Sequence, residues 1–375
     1  MPERLRIAFF ASSLASAHRN EAAGYWRGLA RALQARGHTL TFYEPDALEV
    51  QPHRDAADPP YARSVVWHLD DHGALERCLE EAGEADLVVK ASGVGAHDAL
   101  LEARVLELRR PGNRIAFWDV DAPATLERLA RDPADPFRAL VPRYDLVFTS
   151  GGGERVVRAY RAHGARVCVP VHGALDPARH HPVPPDPRFR ADLAFLGDRL
   201  PDREARVDEL LLRAASVLPS RRFLLGGSGW ETKALPRNVR HLGHVGAGDH
   251  NALSCTPLAV LNVSRDGMAR YGFSPAARIF EAAGAGACVV TDLWDGLETF
   301  LEPEVEVLAA KDGAEVAEIL AGLGPAAARR IGDAARRRVL AEHTYARRAE
   351  TVEAALGIGP ARGASAHLAE PVVGA

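Results

Sequence analysis

The chain repeats one pattern twice, and that doubling constrains its fold more than any single motif does. Short β-branched or aromatic runs alternate with longer stretches whose apolar residues recur at three and four; the alternation stops near residue 172 and resumes after residue 190. Alternation of this kind builds βαβ units and parallel sheets. In the first half, strands are expected at 6–10, 39–43, 86–90, 114–118, 145–149 and 166–171, and in the second at 192–197, 222–226, 239–242, 258–263, 287–291 and 305–309. The expected fold class is α/β, with two doubly wound Rossmann-like domains facing each other across a cleft.

The first helix shows the logic. Ala22, Trp26, Leu29 and Leu33 make an apolar stripe that ends at Gly37, a residue suited to the left-handed C-terminal cap. Between the halves, the run HGALDPARHHPVPPDPRF is crowded with proline and lacks any period, so it reads as a linker over 173–190. The linker divides an acceptor-side domain, 1–172, from a second domain, 191–356, and 375 residues suit two such units. An arginine-rich helix is expected after Pro325 with Ile331, Ala334, Ala335 and Val339 inward, and 357–375 has little to bury and is expected to be disordered.

Composition excludes several partner classes. A net charge of -4 gives no basic field for nucleic acid. The first residues run from a charged start into one strand-length apolar run, and no stretch approaches the ~18 apolar residues of a membrane span. A cytoplasmic location is expected, with peripheral contact of Arg329, Arg330, Arg336, Arg337, Arg338, Arg347 and Arg348 with anionic lipid as the alternative to a solvated helix face. Cys78, Cys168, Cys255 and Cys288 stand too far apart for a zinc or dithiol motif and read as small core residues.

Doubly wound domains bind ligands at the carboxyl ends of their strands, where free helix amides attract anions. The run 271–286 is the most informative such segment. Ser274 is a good N-cap and Pro275 suits the first helical position, so a helix is expected to start there. Arg278 lies one turn in with a planar fork suited to a diphosphate, and Glu281, three residues on, can accept bonds from a ribose diol. The competing reading is a plain Arg278–Glu281 surface pair. Ser228 and Gly229, in a glycine-rich turn after a strand, and Arg199 and Arg203, after another, are further phosphate candidates. In the first domain Asp119 or Asp121 is a candidate general base, with Asp121 equally suited to capping a helix ahead of Pro123; His18 is a second candidate. His180, His181 and Asp176 invite a metal reading, which is set aside because adjacent histidines diverge, and no metal is expected.

The order of segments resembles the GT-B glycosyltransferases, in particular the family-4-like group and, within it, the CgeB-like spore-maturation glycosyltransferases. The resemblance runs to about residue 356 and rests on the linker motif 168–182, the strand and glycine at 193–197, the run Leu242-Gly-His-Val245 and the helix Glu281-Ala-Ala-Gly-Ala-Gly-Ala-Cys-Val-Val290. It implies a UDP- or GDP-linked sugar as co-substrate, with no cofactor. It further implies Glu281 as the ribose-binding residue, 274–278 as the diphosphate turn, Arg199 and Arg203 as basic residues after the second domain's first strand, and His244 and Val245 as neighbours of the base. One position departs: family-4 enzymes usually carry a second glutamate eight residues earlier, contacting the transferred sugar, and that position here is Phe273. The expected function is transfer of a sugar from a nucleoside diphosphate to an acceptor hydroxyl, with a nucleotide-sugar epimerase or a non-catalytic nucleotide-sugar binder as alternatives of the same architecture.

Overall fold

The structure, a computed structural model, describes residues 3–18 and 20–358. Two all-parallel sheets organise it. The first comprises β1 (Arg6–Phe10), β2 (Thr39–Asp46), β3 (Arg63–His68), β4 (Leu87–Ala91), β5 (Arg114–Asp119), β6 (Leu146–Thr149) and β7 (Cys168–Pro170), in the order β3-β2-β1-β4-β5-β6-β7. The second comprises β8 (Leu193–Leu196), β9 (Phe223–Gly226), β10 (Val239–Gly243), β11 (Ala259–Asn262), β12 (Val289–Asp292) and β13 (Leu308–Ala310), in the order β10-β9-β8-β11-β12-β13. Each order reverses beside the first strand of its sheet, between β1 and β4 and between β8 and β11, which places a ligand crevice at those strand ends.

The expected strands all form, with ends shifted by a few residues. β3 is the addition. It is a half-buried edge strand pairing only with β2, and its sequence, RSVVWH, lacks the continuous apolar run of the central strands. Central strands are buried on both faces: Leu87, Val88, Val89 and Ala91 of β4 are all fully enclosed. Phe9, Trp26, Phe42 and Trp118 form an aromatic core between the first sheet and the helix Ala23–Ala35, with Phe9 and Phe42 stacked at 4.6 Å. Gly37 follows that helix at φ +94°, the left-handed conformation its position demands. On the helix Pro325–Glu342, Ile331, Ala335 and Val339 are buried as expected, while Ala334 is only partly so. All four cysteines are free; Cys78, Cys168 and Cys288 are buried, and Cys255 is partly exposed.

The last helix, Tyr345–Ala355, corrects the expected boundary at 356. Instead of staying with the second sheet it returns to the first domain, where Tyr345, Ala349, Val352 and Leu356 join the core formed by Trp26, Leu29 and Leu33. Gly28 makes this possible, because a Cβ there would strike the Tyr345 ring. Arg36 and His38 hold Glu353 on the same face, His38 Nε2 lying 3.0 Å from its carboxylate. The expected tail 357–375 lies almost entirely outside the described residues. Among the described residues no helix is long and apolar enough to cross a membrane.

Replacing Gly28 with valine forces Tyr345 out of its seat. Overpacking of this kind costs about 1–3 kcal/mol, so Gly28→Val should lower the thermal midpoint by several degrees. An unchanged midpoint in a scanning calorimeter would rule out this docking of the last helix.

Candidate active site

The carboxyl ends of the two sheets face each other across a cleft of about 410 Å3. From the first domain it is lined by Ser12, Glu21, Tyr25, Gly93, Asp121 and Ser150, which follow β1, β4, β5 and β6; from the second by Arg203, Ser264, Arg265 and the run Ser274–Ala277. These loops follow the switch-point strands, so the topology alone locates the cleft.

On the second domain's wall the helix Ala277–Gly284 starts at the cleft, later in the chain than expected. The shift is two residues, from an expected first position at Pro275 to Ala277, so Ser274 is not its N-cap. Ala276 occupies that position without a side-chain bond, and Ser274 has a different task. Its Oγ donates to the Gly272 carbonyl at 2.9 Å and accepts from the Gly152 amide of the first domain at 2.8 Å. Pro275 lines the cleft ahead of the helix. The free amides of the helix start, with their partial positive charge, lie at the cleft wall.

Two arginines stand near that start, of which Arg203 lines the cleft and Arg278, the second residue of the helix, does not. Arg278 makes no hydrogen bond or ion pair among the described residues. Arg203 donates from Nη2 to the Asp198 carbonyl at 2.6 Å, while its Nε is buried without a partner. Burial lowers the pKa of Arg203, and repulsion from Arg278 adds to that, partly offset by Glu21. A buried guanidinium with an unsatisfied donor is suited to receiving an anion. Glu281, one turn along, is half-buried behind the cleft lining, and its carboxylate makes no hydrogen bond among the described residues. Burial works to raise its pKa, but the positive surroundings of Arg278, His180, His250 and Arg179 outweigh it, and the carboxyl is held below its ordinary value. The plain Arg278–Glu281 ion pair is not formed.

The remaining candidates lie elsewhere. Arg199 is taken up by Glu204 at 2.8 Å and by Thr232 and the Gly229 carbonyl, and does not line the cleft. Ser228 is exposed and its amide donates to Asp198, so the glycine-rich turn is closed on its neighbour loop, with Gly229 at φ +84° against Arg199. His244 is exposed, and Val245 packs inward with Leu196, Leu224 and Leu253.

Of the three candidate bases, only Asp121 reaches the cleft. It is also the cap foreseen for it, accepting from the Ala124 amide at 3.3 Å. Asp119 is fully buried and accepts from Ser92, Thr125, Tyr160 and the Asp121 amide, which fixes the loop but leaves no face for an acceptor. Burial raises its pKa, an effect those bonds oppose. His18 does not line the cleft; it stacks on His53 at 4.2 Å.

Two features escaped the sequence. Arg265, after β11, reaches Asp202 at 2.6 Å, Asp121 at 3.3 Å and Glu21 at 3.6 Å, so one guanidinium joins both walls of the cleft. Its only signal was a position just past a central strand. His172 is the second: its Nε2–H is shared between the Gly152 carbonyl at 3.0 Å and the Phe273 carbonyl at 3.1 Å, one from each domain. Phe273, at φ +49°, sits with its ring against Gly153 and Gly296, filling a seam between the domains.

Burial, reinforced by Arg348, holds the His172 pKa down to about 4, and the same causes hold His343 down to about 3. Both histidines fold neutral, whereas an unfolded histidine takes its proton near pH 6.5. Folded values below the unfolded one mean that this stability is complete above about pH 6.5 and is lost as pH falls toward 4. Denaturation midpoints should decline across that window, and the decline should be smaller in His343→Asn; an equal slope in both proteins would show that His343 does not carry it.

Residues 203–354 match the model of a family described as glycosyl transferase-like. No curated protein matches the chain. Solved structures similar to it include sucrose-phosphate synthase from Thermosynechococcus elongatus, at 16% identity and a TM-score of 0.64, covering 94% of this chain and 98% of that one. HepE of Anabaena in complex with UDP-glucose aligns at 15% identity and 0.65, covering 94% and 99%. AviGT4, a glycosyltransferase involved in avilamycin A biosynthesis, aligns at 20% and 0.57, covering 94% and 98%. At these identities the likeness is one of fold, and the fold is GT-B: two parallel-sheet α/β domains facing each other across a cleft.

Proposed function

We propose that this chain is a glycosyltransferase that moves a sugar, a hexose in our reading, from a nucleoside diphosphate to an acceptor hydroxyl. The observation that carries the reading is Arg203, which lines the cleft with its Nε buried and unpaired, beside the start of the helix that carries Arg278 and Glu281. The family match over 203–354 and the UDP-glucose bound to HepE support it and favour uridine as the base. The finer placement among family-4-like, CgeB-like enzymes rests on the run 281–290 and belongs to the same proposal.

In this mechanism the two guanidiniums and the helix amides stabilise the diphosphate as the bond to the sugar breaks. Charge is then neutralised at the phosphates without a metal. Glu281, kept ionised by its cationic surroundings, accepts from the ribose hydroxyls. Across the cleft, Asp121 is the carboxylate placed to take the acceptor proton, and Arg265 holds it in position at 3.3 Å. An epimerase of the same fold gains no support from the cleft, whose first-domain wall offers the polar side chains of Ser12 and Glu21 to a second substrate.

Calorimetric titration with UDP, GDP, ADP and inorganic pyrophosphate tests the donor site. Loss of a charge-assisted bond worth about 1.5–3 kcal/mol corresponds to roughly ten- to a hundredfold in affinity. Arg278→Ala should therefore weaken a nucleoside diphosphate and pyrophosphate alike, while Glu281→Ala should weaken the nucleotide alone. A wild-type protein that binds none of the nucleotides would overturn the proposal. Asp121→Asn should lower turnover while leaving donor affinity unchanged, as read in steady-state kinetics beside the titration; full turnover in this variant would remove Asp121 from the base role.

A further inference from the structure

The loop after β1 carries a group of side chains that the transfer reaction does not use. His18, Glu49 and His53 each offer one donor atom, and the three atoms all lie within 4.8 Å of one another. His18 Nε2 is buried with no hydrogen-bond partner, an unsatisfied lone pair or proton in a place water does not reach. His53 Nδ1 lies 2.9 Å from the Glu49 carbonyl, so Nδ1 carries the proton and Nε2 keeps its lone pair. This is how a metal-ligating imidazole is usually oriented, by a carbonyl behind it. Leu48 and Glu49 are held at φ 55° and 59°, two consecutive left-handed residues that turn the Glu49 side chain back toward the histidines.

The frame around the group is already built. Ser16 Oγ donates to the His53 carbonyl at 2.9 Å, the Ala17 amide donates to Asp55 at 2.8 Å, and Arg27 holds both oxygens of Asp55 at 2.8 and 2.9 Å. The loops after β1 and β2 are thus tied together on either side of the three side chains. Donors around a tetrahedral zinc ion lie roughly 3.4 Å apart, given bonds of about 2.1 Å. Closing the spacing from 4.8 Å calls for the exposed Glu49 side chain to swing inward and for His53 to leave its stack on His18, so that the ring lone pairs meet at one point.

We propose that His18, Glu49 and His53 bind a divalent transition-metal ion, with two imidazoles and one carboxylate selecting zinc over magnesium or calcium. The ion clamps the loop whose next residues, Asn20 and Glu21, line the cleft, so its role is to fix the acceptor wall. It is a site separate from the phosphates, and it stands whether or not the transferase reading does.

The test is titration of the full chain, carrying no added histidine tag, with cobalt(II) followed by visible absorption and with zinc followed by calorimetry. One equivalent is expected, with the intense absorption of a low-coordinate cobalt site. Glu49→Gln and His53→Ala, both at exposed positions, should each weaken binding by more than about tenfold, since even outer partners of a metal site are worth that much. His72→Ala, at an exposed histidine outside the group, should leave it unchanged. Zinc should also slow amide exchange in the loops 12–20 and 46–58 of the wild type and not of Glu49→Gln. Absence of a one-equivalent site, or equal binding by all three variants, would overturn the proposal.

Discussion

The knot at Gly152 is the interaction on which the rest depends. Its amide donates to Ser274 of the second domain, and its carbonyl accepts from His172 at the end of the first. The same His172 proton reaches the Phe273 carbonyl, so three stretches of chain far apart in sequence meet over a few bonds. Each sheet has its own core, and these bonds help hold the strand ends of the two face to face. A cleft between domains exists only when something fixes the angle between them. Here neutral groups at Gly152 and the Arg265 guanidinium across the cleft walls both contribute.

Arg348 backs this knot in an unusual way. Its guanidinium is buried and donates to the carbonyls of His172 and Gly173 and to Nδ1 of His343, with no carboxylate among these partners. Burial lowers its pKa accordingly. The positive charge it keeps near His172 and His343 helps hold both imidazoles neutral, which they must be for one to donate a single proton and the other to accept one.

Most of the fold was legible because doubly wound domains write themselves in local pattern: twelve strands were visible as apolar runs, and β3 was hidden by its half-buried edge. The site was legible in part. Arg203, Arg278 and Glu281 stand out because strand ends and helix starts are marked in sequence. Ser274 was misread for the same reason: a serine before a proline resembles a cap, and nothing local reveals that its hydroxyl is claimed by Gly152, 122 residues away. Asp119 and Asp121 look alike two residues apart, yet the end of a parallel strand sends one into the core and the other into the cleft. Arg265 and His172 act across domains, and the return of the last helix to the first domain is a tertiary choice that periodicity does not record.

That return has a mechanical consequence. The chain passes between the domains twice, and the two passages touch: the Leu175 amide donates to His343 at 2.8 Å and the Tyr345 amide to Leu175 at 3.1 Å. Two parallel threads stitched side by side resist twisting and sliding far better than one, yet still bend along their common line. The molecule is bound like a book, with 175 and 344 in the spine, and the bonds of Gly152 and Arg265 hold its pages at one opening.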